Sequence, residues 1–154
     1  MRISSLLDSG VIAVAPPWST FQEAVRGLVQ RLSESGRLSE DLVHSAVEAV
    51  CERERVADTV IVEISVGIPH ARVIGVREVL IALAVSPTAL YALGGIPISI
   101  MALVLSPPEM AAEHLNALSA FSMLLQSEQV RCQLRTAANG EAALMILQGQ
   151  EGGA

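Results

Sequence analysis

The sequence predicts an α/β protein, a three-layer α/β/α sandwich with a central mixed β-sheet. Helical patterns stand at both ends of the chain, apolar strand patterns occupy its middle, and two of those strands are continuous apolar runs. Such runs are typical of strands buried on both faces, which requires helices on either side of the sheet. The length of 154 residues suits one domain. We assign that domain to residues 1–148 and expect residues 149–154 to form a disordered tail.

The first part of the chain predicts three helices and one short strand. Apolar residues recur at helical spacing through both of the longer segments. Ser19 is a plausible N-cap for the first of these, and Gln22 follows three residues later, as in a capping box. The predicted elements are a helix over 3–10, a strand over 11–15, a helix over 19–36 and a helix over 39–55.

The middle and last parts predict four strands and then three helices. Pro107 and Pro108 end the last strand and favour a helix start, while Asn139 can cap the final helix. The predicted strands are 59–65, 69–73, 76–85 and 97–105. The predicted helices are 110–125, 127–137 and 140–148.

Composition argues against several classes of function. The net charge of −6, the lack of a basic stretch and an aromatic content of 3% argue against nucleic-acid binding. The most apolar runs are about eight residues long, whereas a membrane span needs roughly 20, and the N-terminus lacks a signal-peptide pattern. Cys51 and Cys132 have no metal-ligand spacing, which favours reduced thiols. We expect a cytoplasmic protein with no direct membrane insertion, no bound metal and no other cofactor.

Two of the three histidines stand where a site could form. His44 lies on the polar face of its helix and is expected at the surface. His70 ends a strand-and-turn segment in "VGIPHAR" (66–72), and His114 lies in the first turns of a helix after a buried strand. Sites are commonly built at strand ends, so these two can meet. From the residues alone, each is either a functional group or a structural histidine.

Four motifs follow one another along the chain in an order that a known protein family shares. They are "VCERERVADT" (50–59), "GIPHAR" (67–72), Gly94-Gly95-Ile96-Pro97-Ile98 and "EHLNALSAFSMLL" (113–125). With them, residues 3–148 resemble the enzyme IIA domain of the phosphoenolpyruvate-dependent sugar phosphotransferase system. The branch is the fructose/mannitol type, which includes the free-standing nitrogen-regulatory form. The resemblance implies a phosphocarrier that receives a phosphoryl group from the phosphocarrier protein HPr or a relative of it.

The resemblance also implies a role for individual residues. His70 would be the phosphoacceptor, His114 would orient the phosphate, and Arg53 would stabilise its charge. A neutral imidazole is a good nucleophile near physiological pH, and a guanidinium offers a fixed charge and a fork of donors. We also assign Thr59, Gly67 and Arg72 to phosphate binding. For Arg53 the residues leave an alternative, because a cation at a helix end also interacts favourably with the helix dipole.

The segment before His70 departs from the family pattern. Family members carry a glycine-rich turn there, whereas residues 58–67 are one residue longer and replace most glycines with Val, Glu, Ile or Ser. Glycine matters where the backbone needs a positive φ or approaches a ligand closely. Either Glu63 lies near the phosphate site and opposes its charge, or Glu63 points away and Gly67 restores local flexibility. The aspartate usual before the "G-x-P-V" motif is replaced by Gly94.

Two functions from different classes fit these observations. The leading one is a phosphocarrier with a regulatory, nitrogen-branch-like role or with transfer to a separate enzyme IIB, and we favour regulation because no enzyme IIB or membrane segment accompanies the domain. The alternative is a docking module that is not phosphorylated and binds a kinase, transporter or regulator. The altered turn supports this alternative, while the retained His70, Arg53 and His114 support the phosphocarrier.

Overall fold

A six-stranded mixed sheet with helices on both faces forms the protein, as the sequence predicts. The computed structural model describes residues 2–152. The helices are α1 (Phe21–Glu34), α2 (Val43–Val56), α3 (Ala111–Leu124), α4 (Glu128–Arg135) and α5 (Gly140–Gly152). The strands are β1 (Ile12–Val14), β2 (Val60–Ile61), β3 (Val66–Gly67), β4 (His70–Arg72), β5 (Leu80–Val85), β6 (Tyr91–Leu93), β7 (Ile96–Ile98) and β8 (Ile100–Ser106).

The centre of the sheet is the antiparallel pair β5 and β8. The strand order is β1-β5-β8-β3-β2, with β4 also paired to β8. Strand β1 runs parallel to β5, β3 and β4 run parallel to β8, and β2 runs antiparallel to β3. Every residue of β5 and β8 is buried, because α1 and α2 cover one face of the sheet while α3 and α5 cover the other. In residues 2–152 no helix combines the length and apolarity needed to cross a membrane.

Strands β3 and β4 form one line along β8. The register is the same on both sides of Pro69, with Gly67 opposite Met101 and His70 opposite Val104. Across the break, the Val104 N–H donates to the Pro69 carbonyl oxygen at 3.1 Å. Proline has no N–H of its own to donate, yet the line continues to the end of β8. This register fixes where the His70 side chain emerges.

The structure corrects the predicted strand over 59–65. Strand β2 covers only Val60–Ile61, a 3-10 turn follows at Val62–Ile64, and Ser65 adopts the left-handed conformation with φ 57°. The chain must reverse here because β2 pairs antiparallel to β3. The Ser65 carbonyl then accepts the N–H groups of the first residues leading into β8. The β-branched residues keep negative φ, and a serine supplies the turn that glycine was expected to supply.

Other corrections concern the hairpin and helix starts. Strand β6 was not predicted, and it pairs with β7 through a turn at Gly94 and Gly95, both at positive φ. In place of the α-helix predicted over residues 3 to 10, the structure has two short turns of 3₁₀ helix, at Ile3–Leu6 and at Ser9–Val11. The capping box of α1 is shifted by one residue, since Thr20 Oγ1 accepts the N–H of Glu23 at 3.1 Å.

The predicted disordered tail is wrong for residues 149–152. Helix α5 continues to Gly152, and the Glu151 carboxylate accepts the backbone N–H groups of Ile3 at 2.6 Å and Ser4 at 2.9 Å. The last turn of α5 therefore holds the N-terminal 3-10 turn in place. Residues 153 and 154 lie outside the described residues.

Candidate active site

Two histidine rings meet beside the ends of β4 and β8. The centroids of the His70 and His114 rings are 5.3 Å apart, and the ring planes are inclined by 65°. His70 belongs to β4 and is partly exposed, whereas His114 belongs to α3 and retains 4% exposure. The pair thus combines one accessible imidazole with one that is almost fully removed from water.

Strand alternation explains why these residues share a face. Side chains two apart in a strand point to the same side, so His70 and Arg72 project together while Ala71 is buried on the other side. Ser106 is paired with Arg72 in the β8 register and projects to that same side. Helix α3 packs on β8, which brings His114 over the group.

The hydrogen bond of His70 identifies its free nitrogen. His70 Nδ1 lies 2.9 Å from the carbonyl oxygen of Ile68. A carbonyl oxygen only accepts, so Nδ1 carries the proton in this bond. The lone pair of the neutral ring is therefore on Nε2, and this nitrogen is the nucleophilic one.

His114 is neutral at physiological pH. Burial lowers the pKa of His114 to about 4, and the positive charges of a protonated His70 and of Arg72 lower it in the same direction. Its Nδ1 is hydrogen-bonded to the hydroxyl of Ser106, which is also fully buried. His114 can therefore donate one N–H, but it supplies no positive charge near pH 7.

The two candidate arginines differ in what they reach. The charge of Arg72 acts on His114, and its side chain is exposed on the His70 side of β4. Arg53 is also exposed, but its Nη1 donates to the carbonyl oxygen of Ala57 at 3.1 Å, just beyond the end of α2. A side-chain donor to the last carbonyls is a common way to end a helix. The structure thus gives Arg53 the helix-end contact that the sequence left as its alternative.

Thr59 supports the segment before His70 from the side of α2. Its N–H and its hydroxyl both donate to the Glu54 carboxylate, at 2.9 and 2.8 Å. Its carbonyl oxygen accepts the N–H of Ile68 at 3.1 Å. Thr59 therefore connects the end of α2 to the residues that precede His70, and its hydroxyl is already occupied. Glu54 was not singled out from the sequence, although it directly follows Arg53 in the matched motif.

Gly67 makes room for a buried tyrosine. A Cβ atom at this position would lie 2.6 Å from the Tyr91 hydroxyl oxygen. That hydroxyl is buried and has no hydrogen-bond partner among the described residues. Burial, followed by the negative charges of Glu54 and Asp58, raises the pKa of Tyr91 well above its usual range. Gly67 is thus a close-packing position in β3.

Glu63 lies away from the histidine pair. It lines a polar cleft of about 340 Å³ together with Ser65 and Arg131. Ser65 is bonded to Ile100 at the start of β8, whereas His70 lies opposite Val104, four residues or roughly 13 Å further along at about 3.3 Å per residue. Glu63 therefore points away from the histidine pair, as one of the two alternatives predicted. The other half of that alternative is wrong, because Gly67 is a packed strand residue without positive φ and Ser65 supplies the left-handed residue instead.

Ser106 is a residue of the site that the motifs did not indicate, and it is hydrogen-bonded to His114. It is a polar residue at the end of an otherwise apolar strand, "IMALVLS", and that change of polarity was the available signal. Its importance depends on α3 crossing β8, which the sequence pattern does not specify.

Comparison with known proteins assigns the family. The model of the phosphoenolpyruvate-dependent sugar phosphotransferase system, EIIA 2, matches residues 5–150. The chain belongs to this family. It is 29% identical over 147 residues to the fructose-specific EIIA component of Haloferax volcanii, with 94% of each chain covered. It is 26% identical to the nitrogen regulatory protein of Bradyrhizobium diazoefficiens, covering 96% of this chain and 95% of that protein.

A solved structure agrees with the assignment. The nitrogen regulatory protein IIA-Ntr from Neisseria meningitidis superposes with a TM-score of 0.77 at 25% identity, covering 96% of this chain and 99% of that one. The protein is therefore an EIIA-type component with the role of a phosphocarrier. Its EIIA relatives include both a fructose-specific component of the phosphotransferase system and nitrogen regulatory proteins.

Proposed function

We propose that this EIIA domain carries its phosphoryl group on Nε2 of His70 and receives it from a phospho-HPr-type donor. The observation that carries the proposal is the hydrogen bond from His70 Nδ1 to the Ile68 carbonyl oxygen at 2.9 Å. This bond fixes the ring with its lone pair on Nε2, in a partly exposed position next to a second histidine. A donor protein can reach Nε2 without rearrangement of the core.

The transfer of the phosphoryl group from the donor to His70 needs no cofactor. The His70 Nε2 lone pair forms a bond to phosphorus while the phosphorus–nitrogen bond of the donor phosphohistidine breaks, and the donor ring keeps the electron pair. Phosphoryl transfer requires positioning and neutralisation of the phosphoryl oxygens. Arg72 supplies the positive charge from the same face of β4, and neutral His114 supplies an N–H donor. The proton of His70 stays on Nδ1, where it is donated to the Ile68 carbonyl oxygen.

Exposed apolar side chains lie close in sequence to the site residues and suit a protein partner. Ile74, two residues beyond Arg72, is 84% exposed, and Leu115, next to His114, is 61% exposed. Partly apolar surfaces with a charged residue beside them are typical of protein–protein contacts. We propose that the HPr-type donor docks here and that a separate enzyme IIB or a regulated kinase or transporter uses the same surface.

A second candidate function remains, favoured by the rewritten segment 58–67. In this alternative the domain docks on its partner without being phosphorylated. The segment no longer has the glycine-rich turn of the family, and Thr59 and Gly67 are occupied by contacts to Glu54 and Tyr91. The cradle of phosphate donors that a glycine-rich turn would offer is therefore reduced.

Intact mass after exposure to a phosphate donor distinguishes the two functions. The protein is incubated with phosphoenolpyruvate, enzyme I and HPr, or with their nitrogen-branch relatives. We expect one acid-labile phosphoryl group, lost in His70→Ala and retained in His44→Ala. His44 is the matched control, since it is an exposed histidine on α2 with Glu48 as its partner. No mass gain with any competent donor would overturn the phosphocarrier proposal in favour of the docking module.

A further inference from the structure

The geometry points to Ser106 as a positioning residue that fixes the proton of His114 on Nε2, so that this N–H is available to a phosphoryl oxygen on His70. This inference rests on the proposed role of His70 as acceptor. Ser106 does not touch the reacting atoms, and it acts through His114. His114 keeps its proton throughout, because the contact to phosphate is a hydrogen bond and not a proton transfer.

The contact between Ser106 and His114 can be made in two ways. Either the hydroxyl donates to Nδ1, which leaves the ring proton on Nε2, or Nδ1–H donates to the hydroxyl oxygen, which leaves a lone pair on Nε2. In the neutral ring only one nitrogen carries a proton. The direction of this single hydrogen bond therefore decides what Nε2 presents to a ligand.

Burial favours the hydroxyl as donor. Ser106 has no solvent exposure, and within residues 2–152 the His114 nitrogen is the side-chain partner of its Oγ. If Nδ1–H donated instead, the hydroxyl hydrogen would be left in the core without an acceptor. A buried donor without a partner is unfavourable. The Ser106 backbone is occupied separately, since its carbonyl oxygen accepts the N–H of Val73 at 2.8 Å.

The charge state of His114 makes this choice matter. An imidazolium would carry protons on both nitrogens and would donate to phosphate whatever Ser106 did. Burial, together with the charge of Arg72, holds His114 in its neutral form. With the wrong tautomer, a nitrogen lone pair on Nε2 would face the negative phosphoryl oxygens, and the contact would be repulsive.

The first test reads the tautomer directly and needs no phosphotransfer. Nitrogen-15 NMR of the unphosphorylated protein at pH 7 is expected to show His114 protonated on Nε2. In Ser106→Ala the signals should move toward a mixture of both tautomers, and in Ser106→Thr, which keeps the hydroxyl, they should return toward wild type. A wild-type protein with the proton on Nδ1 would overturn the inference, and this result does not depend on any variant folding.

The second test measures the rate at which His70 gains phosphate from the HPr-type donor. Because a mixture of tautomers leaves part of the His114 population able to donate from Nε2, we expect Ser106→Ala to slow this rate about 2- to 4-fold. Ser99→Ala is the matched control, since Ser99 is a buried serine directly before the other end of β8 and is distant from the histidines, and it should leave the rate unchanged. Equal rates in Ser106→Ala and wild type would overturn the inference. If wild type gains no phosphate, the proposed function fails, while the NMR result still decides the tautomer.

Discussion

Lowering the pH should destabilise this protein through His114. The folded-state pKa of about 4 lies below the ordinary value of 6.5, so below pH 6.5 the unfolded chain binds a proton that the folded chain does not. Stability from this group is therefore fully present above pH 6.5, decreases as the pH falls, and becomes constant below about 4. The physical cause is that an imidazolium would be held without water between Ser106, Arg72 and His70.

The magnitude follows from the two pKa values. At about 1.4 kcal/mol per pH unit, the interval between 6.5 and about 4 corresponds to at most about 3.5 kcal/mol. A loss of this size is a large fraction of the 5–15 kcal/mol that is typical of a folded domain. The carboxylates of the protein add their own pH dependence, so the His114 contribution has to be isolated by comparison with a variant.

Urea unfolding at pH 7 and at pH 4.5 isolates the contribution. We compare wild type with His114→Asn, whose side-chain amide occupies the region of Nδ1 and can still meet Ser106. Between these two pH values wild type should lose about 2–3 kcal/mol more than the variant. Because all other titrating groups are shared, their contribution cancels. Parallel pH profiles for the two proteins would refute the claim that His114 is buried in its neutral form.

Three further predictions concern the residues around the site and the end of α5. Arg72→Gln should slow phosphoryl transfer to His70 at least about 10-fold, while Arg53→Gln should change this rate less than about threefold. Equal losses in the two variants would contradict the assignment of Arg72 as the residue that neutralises the phosphoryl charge. Gly67→Ala should lower the free energy of unfolding by about 1–3 kcal/mol. In a Tyr91→Phe background, where the nearest ring carbon would be 3.8 Å from the new Cβ, the same change should lower it by less than about 1 kcal/mol. Both values come from urea denaturation, and if the two substitutions proved additive, the contact between Gly67 and the Tyr91 hydroxyl would be excluded. Glu151→Gln should lower the free energy of unfolding by about 1–2 kcal/mol, because one of two accepting oxygens is lost, and an unchanged urea midpoint would show that the turn is held by other contacts.

Much of the architecture was open to prediction because it is encoded over short distances in the chain. The continuous apolar runs of β5 and β8 require burial on both faces, and the helical spacing of α1 and α2 requires one buried face each. Both were predicted and are confirmed. The position of His70 after a strand and of His114 in a helix start also came from local pattern. The family resemblance, carried by four short motifs, is confirmed by the match over residues 5–150.

The incorrect predictions share a physical cause. In the segment 59–65 the β-branched residues favour a strand, and only the need to pair β2 with β3 and to bond Ser65 to the start of β8 imposes a reversal. The tail was judged from its position at the end of the chain, yet Glu151 is held by backbone groups 147 and 148 residues away. Propensity describes a residue and its near neighbours, and such contacts lie outside its range.

The sequence by itself determined the fold class, since that follows from residue types at short spacing, and its four motifs were enough to show the resemblance to the family and to select the two histidines as candidates. Only the tertiary structure decided which atoms of the site act together. It directed the guanidinium of Arg53 to Ala57 and that of Arg72 to the His70 side of β4, and it placed the Ser106 hydroxyl against His114. The reason is that a side chain's partner depends on how α3 and α2 cross the sheet, and this crossing is fixed by packing across the whole core.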